Sequence, residues 1–393
     1  MTGIDSGAAR SALAKMRLTF AVAIVGLLAT LAIAACGDEG INGESSTEAT
    51  VAKAEGEPTG DLRISNWPFY IDKNTVPDFE QATGVSVDYV EDINSYDQFF
   101  GKMQPLLADG QSGGRSLMVA NDELANREYD LGYLQQLDKA ALAPAFEHLT
   151  PLASQGDDRD HVYSIPWQGG MTGLIVNQEL APDITSVNDI FDPKYKGRIE
   201  VVTELREVVP LVMKAEGIDP ATASEQDWLD TIEKLKQAGE SGQIRRFTGL
   251  DYAKDLASGD AVAVVGWSPS SFQLLADNPD LAWVMPDEGC ILWWDKWVIP
   301  TGAPNPTAAY AFINYAYEPE NQAQIVAWTG SVSPGTGVRD ILKKTDPEMA
   351  KSPLVFPTEE YTKHCSPATL TPGDEDTEQR IERAWADATG IAG

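Results

Sequence analysis

The chain has few residues of the types on which most enzyme and metal sites depend. It contains three cysteines and three histidines in 393 residues, and the histidines, His148, His161 and His364, are scattered. No C-x-x-C pair, H-E-x-x-H motif or phosphate-binding loop occurs, so the usual signals of a zinc site or a nucleotide site are missing. The string G-x-S-x-G occurs once, at residues 110–114, but it follows a predicted helix and precedes a predicted strand, whereas the nucleophile of a hydrolase lies between a strand and the helix that follows it. The sequence therefore predicts no catalytic residue, no metal and no cofactor.

Basic residues are also scarce. The chain has 29 Lys and Arg against 60 Asp and Glu, which gives a formal net charge of −31. Nucleic acid is excluded as a natural partner, because its phosphates would be repelled. A negative field would instead concentrate cations near the mouth of a cleft, although an exported protein can be acidic simply for solubility.

Long apolar runs are scarce as well, and the one that stands out, Leu18 to Ala35, follows a basic start and ends at Cys36. Small residues before that cysteine resemble a bacterial lipobox, so we expect residues 1–35 to be a signal peptide and Cys36 to carry lipid. Two or more acyl chains on the cysteine would give stable anchoring at the outer face of the cell membrane. The alternative is an uncleaved membrane anchor with an incidental cysteine, and either interpretation places the bulk of the chain outside the cytoplasm.

With Cys36 assigned to the lipid, Cys290 and Cys365 remain. An exported protein can form disulfides, so these two are a candidate pair. The sequence does not show whether their Cα atoms lie close enough.

After the signal, the chain predicts a flexible tether and then a large folded region. Residues 36–59 contain no aromatic residue and have too little apolar surface to fold. About 335 residues follow, more than one hydrophobic core usually serves, so two domains are expected. Short apolar strands alternate with amphipathic stretches, which is typical of α/β layers. The predicted helices include Val76 to Thr83, Tyr96 to Ala108, Glu225 to Ala238, Pro306 to Ala316 and Pro319 to Trp328.

Aromatic and acidic residues recur together at the ends of predicted strands. Trp67 and Tyr70 lie in N-W-P-F-Y-I, Trp267 lies in V-V-G-W-S-P-S, and Trp293 with Asp295 lies in C-I-L-W-W-D-K-W. An amine on a methylene chain needs such a mixture, since aromatic faces attract ammonium groups and carboxylates neutralise a charge that is buried. Ligands of α/β proteins bind at the carboxyl ends of strands or between domains. The pattern predicts one site for a flexible organic cation.

The acids differ in how strongly they indicate a site. A strand period of two places Trp293 and Asp295 on one face with Ile291 and Trp297, and a charge between buried tryptophans is expensive unless paired. Glu204 and Glu207, in T-E-L-R-E, are neighbours if the segment is helical. They could equally be favoured by a helix dipole or pair with Arg206.

At these residues the chain resembles the spermidine/putrescine-binding proteins of bacterial ABC importers, over roughly residues 61–365. The sequence N-W-P-F-Y-I is similar to that family's opening N-W-x-x-Y turn, and E-L-R-E-V is similar to its acidic D-x-R-E-V segment. Likewise P-D-E-G-C-I-L-W-W-D matches P-x-E-G-G-x-x-W-x-D, F-D-P-K-Y-K-G-R-I matches W-x-P-x-Y-K-G, and A-F-I-N-Y-A-Y-E-P-E matches F-I-N-F-x-x-x-P. The order and spacing of all these motifs agree.

The resemblance implies a type II periplasmic-binding-protein fold, in which two α/β domains joined by a hinge close on the ligand. It implies an N-terminal lobe of residues 60–168 plus 295–340, and a C-terminal lobe of residues 169–294 plus 341–393. Asp295 would hold one ammonium end of a polyamine, and Glu204 and Glu207 the other. The aromatic walls would be Trp67, Tyr70, Trp267 and Trp293. The partners implied are a polyamine and the membrane permease subunits of the importer, bound by a monomer.

Three positions depart from the family pattern where ligand contacts are expected. Asn121 and Glu123 occupy positions where the family commonly has serine and tyrosine, and Ser331 stands where a tyrosine wall is expected. Glu204 also replaces an aspartate. These changes indicate a ligand of altered length or charge within the polyamine class.

Other functions remain open at this stage. The same fold could bind ferric iron, an anion, another small organic cation or another metabolite, although paired tyrosines for iron are missing and T-E-L-R-E disfavours anions. An exported glycoside hydrolase could also combine two carboxylates with aromatic platforms. A surface receptor that passes a polyamine signal to a membrane sensor is a third alternative.

Overall fold

The computed structural model describes residues 50–154, 158–368 and 371–390. The predicted signal peptide and Cys36, the predicted site of lipid attachment, lie outside the described residues. The described residues form one compact unit. Among the residues described, no helix is both long enough and apolar enough to cross a membrane.

The described chain contains twelve strands, thirteen α-helices and four short 3₁₀ helices, the last at Val187–Phe191, Pro193–Tyr195, Pro220–Thr222 and Met349–Lys351. The strands are β1 Val51–Ala52, β2 Asp61–Asn66, β3 Ser86–Glu91, β4 Leu117–Asn121, β5 Gln136–Leu137, β6 Ser164–Asn177, β7 Ile199–Val202, β8 Ile244–Thr248, β9 Ala263–Trp267, β10 Leu281–Val284, β11 Ile291–Val298 and β12 Ser366–Pro367. The helices are α1 Thr75–Thr83, α2 Tyr96–Ala108, α3 Asp122–Asp130, α4 Ala143–His148, α5 Leu205–Ala215, α6 Glu225–Glu240, α7 Tyr252–Ser258, α8 Ser268–Asp277, α9 Pro306–Tyr317, α10 Pro319–Thr329, α11 Val338–Thr345, α12 Glu359–Thr362 and α13 Glu375–Thr389. The five helices that the sequence predicts are present, with ends that differ by at most two residues.

One large sheet carries most of the strands, in the order β3-β2-β4-β11-β6-β9-β7-β8. Strands β2, β3 and β4 are parallel to one another, and so are β7, β8 and β9. The long central strands β6 and β11 run antiparallel between these two groups. All fourteen residues of β6 are buried, as expected for a strand with neighbours on both sides.

Two hydrophobic clusters lie on either side of these central strands. The first is built from residues between 52 and 167 and between 297 and 325. The second is built from residues between 174 and 293, with Ile381 and Trp385 of α13 added. Each cluster belongs to one group of parallel strands, so β6 and β11 pass from one lobe of the chain to the other. We call these the first and the second lobe.

The predicted boundary between the two lobes does not fit the structure at α11. The predicted lobe boundary between residues 340 and 341 falls inside α11, and a helix does not divide between two rigid bodies. Val338 and Leu342 of this helix pack together with Ala323 and Val326 of α10 in a small cluster of their own. Residues 341–345 therefore stay with α10, and the rest of the predicted division into lobes remains a prediction.

The predicted tether is wrong for residues 50–59, which are attached to the folded region. Strand β1 pairs in parallel with β5, and the carbonyl of Ala52 accepts a hydrogen bond of 2.7 Å from the Tyr310 hydroxyl. The carbonyl of Thr59 accepts another from the Asn305 side chain. Backbone pairing holds this segment although its composition is poor in apolar residues.

Cys290 and Cys365 are joined by a disulfide, with Cα atoms 4.3 Å apart. The bond fixes the start of β12 beside the start of β11, with which β12 pairs in parallel. It therefore ties the segment that leads to α13 to the central strand that carries Trp293 and Asp295.

Candidate functional site

A cavity of about 270 Å³ opens where β2, β7 and β9 end and where β11 passes from one lobe to the other. Both lobes contribute to its wall, as the rule for ligand sites of α/β folds requires. Its lining is mostly aromatic and aliphatic, with three carboxylic acids. The lining residues are Trp67, Pro68, Phe69, Tyr70, Tyr96, Glu204, Glu207, Leu250, Tyr252, Ala253, Trp267, Pro269, Ser270, Leu274, Trp293, Asp295 and Thr329.

Tryptophans from both lobes form the walls. Trp67 follows β2, Trp267 ends β9, and each is 9% exposed, as is Trp293 in β11. The rings of Trp67 and Trp267 meet edge to face across the lobes, with centroids 6.4 Å apart. Tyr96 packs edge-on against Trp67 at 5.1 Å, and Tyr252 lies 6.2 Å from Trp267. Such walls pack a methylene chain and present their faces to a cation.

The turn after β2 is held in an unusual backbone conformation. Phe69 has φ of 61°, a left-handed conformation that a bulky residue rarely adopts. Its N–H donates to the Glu91 carboxylate (3.1 Å), and its carbonyl accepts from the Trp328 indole N–H (3.2 Å). The next carbonyl, that of Tyr70, accepts from the Gln168 amide of β6. These bonds fix the direction in which Trp67 and Tyr70 point into the cavity.

At one place in the cavity, Asp295 is held by two phenols. The Tyr70 hydroxyl donates to one carboxylate oxygen at 2.7 Å, and the Tyr96 hydroxyl donates to the other at 2.6 Å. Burial raises the pKa of Asp295 to about 7, although both of these hydrogen bonds act in the opposite direction. Burial and the neighbouring carboxylate raise the pKa of both tyrosines well above the ordinary value, so the phenols stay protonated as donors.

Glu207, in the first turn of α5, is held in a similar way. One carboxylate oxygen accepts hydrogen bonds from the Thr172 hydroxyl of β6 and from the Trp267 indole N–H, the latter at 2.8 Å. Burial raises the pKa of Glu207 to about 7, while these two donors lower it. Trp267 is therefore both a wall of the cavity and a support for its acid.

Glu204 occupies the position just before α5, but its side chain does not cap the helix. Burial, followed by the charge of Glu207, raises its pKa well above the ordinary value. The preceding carbonyl, of Thr203, accepts a hydrogen bond of 2.7 Å from the Trp385 indole of α13. The C-terminal helix thus positions the segment that presents Glu204 to the cavity.

No described residue that lines the cavity is a lysine, arginine or histidine. Lys296 and Arg206 are the basic residues next to Asp295 and Glu207 in the sequence, but both form ion pairs with acids that do not line this cavity. Lys296 pairs with Asp122, and Arg206 pairs with Glu123 and Glu378. Asp295 raises the pKa of both glutamates, so the three carboxyl groups act on one another through the cavity. A ligand that brings positive charge relieves that repulsion and supplies the missing partner.

Seven of the ten residues proposed from the sequence line this one cavity: Trp67, Tyr70, Glu204, Glu207, Trp267, Trp293 and Asp295. The other three do not. Asn121 and Glu123 line a smaller adjoining cavity, where the Asn121 side chain caps α3 by accepting from the Leu124 N–H. Ser331 is fully buried and lines neither cavity, so direct contact with a ligand has no support there.

Sequence reasoning missed several residues that complete the site. Tyr96, Phe69 and Tyr252 line the cavity, and Thr172 holds Glu207. Tyr96 begins α2 directly after its serine cap, and an aromatic residue at the start of a helix that follows a strand was a usable signal. Thr172 lies within a buried strand and gave no such signal.

A glycine in β6 makes room for one of the walls. Gly170 lies opposite Trp293 in the antiparallel pair of β6 with β11, and the indole ring lies directly over it. A Cβ atom at this position would overlap the ring of Trp293. The absence of a side chain therefore sets how far the indole stands from the cavity.

The chain is similar to known bacterial solute-binding proteins. Residues 74–357 match the model of a family described as bacterial extracellular solute-binding protein. The chain is 25% identical over 317 residues to the spermidine/putrescine-binding periplasmic protein of Escherichia coli (strain K12), covering 80% of this chain and 88% of that protein. It is 26% identical over 310 residues to a putrescine/cadaverine-binding protein of Pseudomonas aeruginosa, covering 75% and 84%. A solved structure described as a putative spermidine/putrescine ABC transporter from Listeria monocytogenes superimposes with a TM-score of 0.74 at 25% identity, covering 84% of this chain and 98% of that one.

Proposed function

The chain belongs to the family of bacterial extracellular solute-binding proteins, and from that premise we propose that it captures a linear polyamine and delivers it to an ABC importer. The similarity to the Listeria structure confirms the predicted two-domain, type II solute-binding fold. The family is one of binding proteins, which supports a role of the three acids in holding a ligand. The glycoside hydrolase considered from the sequence would hydrolyse glycans, which a turnover assay tests directly.

The observation that carries the proposal is the set of three carboxylic acids in an aromatic cavity whose described lining contains no cationic side chain. A monocation would leave two of these acids without a partner. A diamine or longer polyamine supplies two or more ammonium groups, joined by methylenes whose burial adds about 0.8 kcal/mol each. Asp295 receives one ammonium group, and Glu204 and Glu207 receive the other.

Capture works by closure of the two lobes around the ligand. The first lobe supplies Trp67, Tyr70 and Tyr96, the second supplies Glu204, Glu207 and Trp267, and β11 supplies Asp295 between them. Because the ligand contacts both lobes only when they are together, it favours the closed form. The closed, loaded protein is the form that the permease subunits of the importer would receive.

We also propose that the protein acts as a monomer held at the outer face of the membrane by lipid on Cys36. The support is the sequence pattern before that cysteine, since the residue itself lies outside the described part. Mass spectrometry of the membrane fraction tests the anchor: the N-terminal peptide should begin at Cys36 and carry acyl chains. An unmodified or missing Cys36 would contradict it.

A thermal-shift panel tests the class of ligand. Putrescine, cadaverine, spermidine and spermine would be compared with 1,4-butanediol and with a neutral sugar at the same concentration. A ligand present at about 100 times its Kd adds about 2.7 kcal/mol to stability, which raises Tm by several degrees. We expect this rise in Tm with the amines alone. A rise with the diol or the sugar, and none with any amine, would refute the proposal.

The glycine beneath Trp293 gives a separate prediction. We expect Gly170→Ala to push the indole into the cavity and to weaken polyamine binding by about tenfold or more, the usual effect of overpacking a tight site. The dissociation constant would be measured by calorimetry, together with Tm. Gly101→Ala is the matched control, because a Cβ there meets no atom within 4 Å. Equal affinities for the two variants would show that Gly170 does not set the position of the wall.

A further inference from the structure

We propose that Arg206 limits the length of the ligand, because its guanidinium fills an acidic recess beyond Glu204 and Glu207 that would otherwise hold a further ammonium group of a longer polyamine. This inference rests on the proposed function. Arg206 does not line the main cavity. From the sequence it was considered only as an ion-pair partner of Glu204 or Glu207.

The recess is the smaller cavity, and it adjoins the main one. Glu204, Glu207 and Trp293 line both cavities. The remaining residues of its lining are Asn121, Asp122, Glu123, Arg206, Trp294 and Ala368. A ligand chain that passed Glu204 and Glu207 would therefore enter the recess and meet Arg206.

Arg206 occupies a place prepared for a cation. Carboxylate oxygens of Glu123, Glu378 and Glu382 lie within 4.8 Å of one another, a spacing at which their charges repel unless a cation lies among them. The Arg206 side chain is 5% exposed, and its guanidinium pairs with Glu123 and donates to Glu378 at 2.5 Å. It is thus the internal equivalent of a ligand ammonium.

The same contacts join the two lobes. Glu123 and Arg127 belong to α3 of the first lobe, whereas Arg206 lies on α5 and Glu378 and Glu382 lie on α13 of the second. Arg127 also pairs with Glu382 at 3.5 Å. These contacts also allow a purely structural role, in which Arg206 only holds the two lobes together. If that were its role, loss of Arg206 would weaken the binding of every ligand to the same degree.

The length-limiting role predicts a different result. A third ammonium in the recess would lie beside the guanidinium, and the two like charges would repel in a poorly solvated place. With Arg206 present, the site prefers a diamine, whose second ammonium group binds to Glu204 and Glu207 and whose chain does not extend into the recess. Without it, the carboxylates of Glu123 and Glu378 are left to receive the additional ammonium of a triamine or tetraamine.

The test is a comparison of affinities for putrescine, spermidine and spermine by calorimetry in the wild type, Arg206→Met and Arg206→Lys. We expect Arg206→Met to shift the ratio of spermine to putrescine affinity by at least about tenfold towards spermine, and Arg206→Lys, which keeps the charge, to leave the ratio near that of the wild type. The double variant Arg206→Met/Glu123→Gln should reverse part of the shift, because it removes an acid of the recess. A ratio that stays constant while all affinities fall together would overturn the proposal and leave the structural role.

The test also covers a variant that does not fold and a wild-type protein that binds no amine. If Arg206→Met does not fold, Arg206→Met/Glu378→Gln removes one of the orphaned charges and is measured in its place. If the wild type binds no amine, the proposed function fails. The recess is then judged by whether spermine raises the Tm of the Arg206→Met variant above the rise that it gives in the wild type. No difference in that rise would overturn the inference separately.

Discussion

Asp295→Asn is expected to abolish tight polyamine binding while making the ligand-free protein more stable. The amide keeps the size of the side chain and can still bond to both Tyr70 and Tyr96. It removes the charge that would pair with one ammonium group of the ligand. Removing one partner of a buried ion pair typically costs about 3–5 kcal/mol, which corresponds to a loss of affinity of at least about 100-fold.

The rise in stability follows from the pKa of this acid. Because the folded-state pKa is raised to about 7 by burial, the group contributes stability that is fully present below its unfolded pKa of about 3.9 and is lost as the pH rises through 7. At pH 8 the ionised, unliganded Asp295 therefore destabilises the fold by up to about 4 kcal/mol. Asparagine carries no such charge, so the variant should unfold at a higher temperature than the wild type at pH 8 and not at pH 4.

Asp340→Asn serves as the control. It changes the net charge by the same amount, but Asp340 is exposed on α11, where it pairs with Lys343. It should alter neither the affinity nor the dependence of Tm on pH. If Asp295→Asn bound putrescine as tightly as the wild type does, Asp295 would not be the partner of the ammonium group.

Polyamine affinity is also expected to fall steeply as the pH is lowered below about 7. Asp295 and Glu207 each have a pKa raised to about 7 by burial, and burial raises that of Glu204 as well. A bound ammonium group favours the ionised form, so these pKa values fall on binding and protons are released. With two such groups, the association constant should drop by roughly 10²–10³ between pH 8 and pH 5.5, while the alkylamine ligand stays fully charged.

The number of protons released can be measured directly. Calorimetry at pH 6.5 in two buffers of different ionisation enthalpy should give a release of about one proton or more per ligand bound. In Asp295→Asn, measured at a ligand concentration high enough to saturate the weakened site, fewer protons should be released per ligand bound. Affinity that is constant from pH 5.5 to 8 would contradict the assignment of these acids as buried partners of the ligand.

The sequence predicted the centre of the site because local periodicity governs β11. Trp293 and Asp295 were expected on one face, and they do line the cavity together. The same argument placed Trp297 with them, yet Trp297 packs against Trp167 in the first lobe, with ring centroids 4.5 Å apart and the ring planes tilted by 40°. Pairing with β6 is irregular directly after Asp295, where the strand crosses from one lobe to the other. A period of two gives the face of a strand but not the lobe against which each part of that face packs.

Long-range contacts account for what the sequence did not predict. Glu123 was proposed as a ligand residue, whereas the structure pairs it with Arg206, which is 83 positions later in the chain. Tyr96 contacts Asp295 from a distance of 199 positions, and Thr172 contacts Glu207 from 35. Residues 50–59 are held by partners near residues 136 and 305–310. No pattern within one segment encodes such pairings, because the closing of the fold decides them.

The most direct test of the account is a calorimetric titration of the wild-type protein with putrescine at pH 8, with 1,4-butanediol as the neutral analogue of the same chain length. If the three carboxylates and the aromatic walls form a site for a dication, putrescine will bind with one-to-one stoichiometry, its affinity will exceed that of the diol by several orders of magnitude, and Asp295→Asn will remove the difference. If the diol binds as well as putrescine, or if neither putrescine nor a longer polyamine produces heat of binding, the cavity is not a polyamine site.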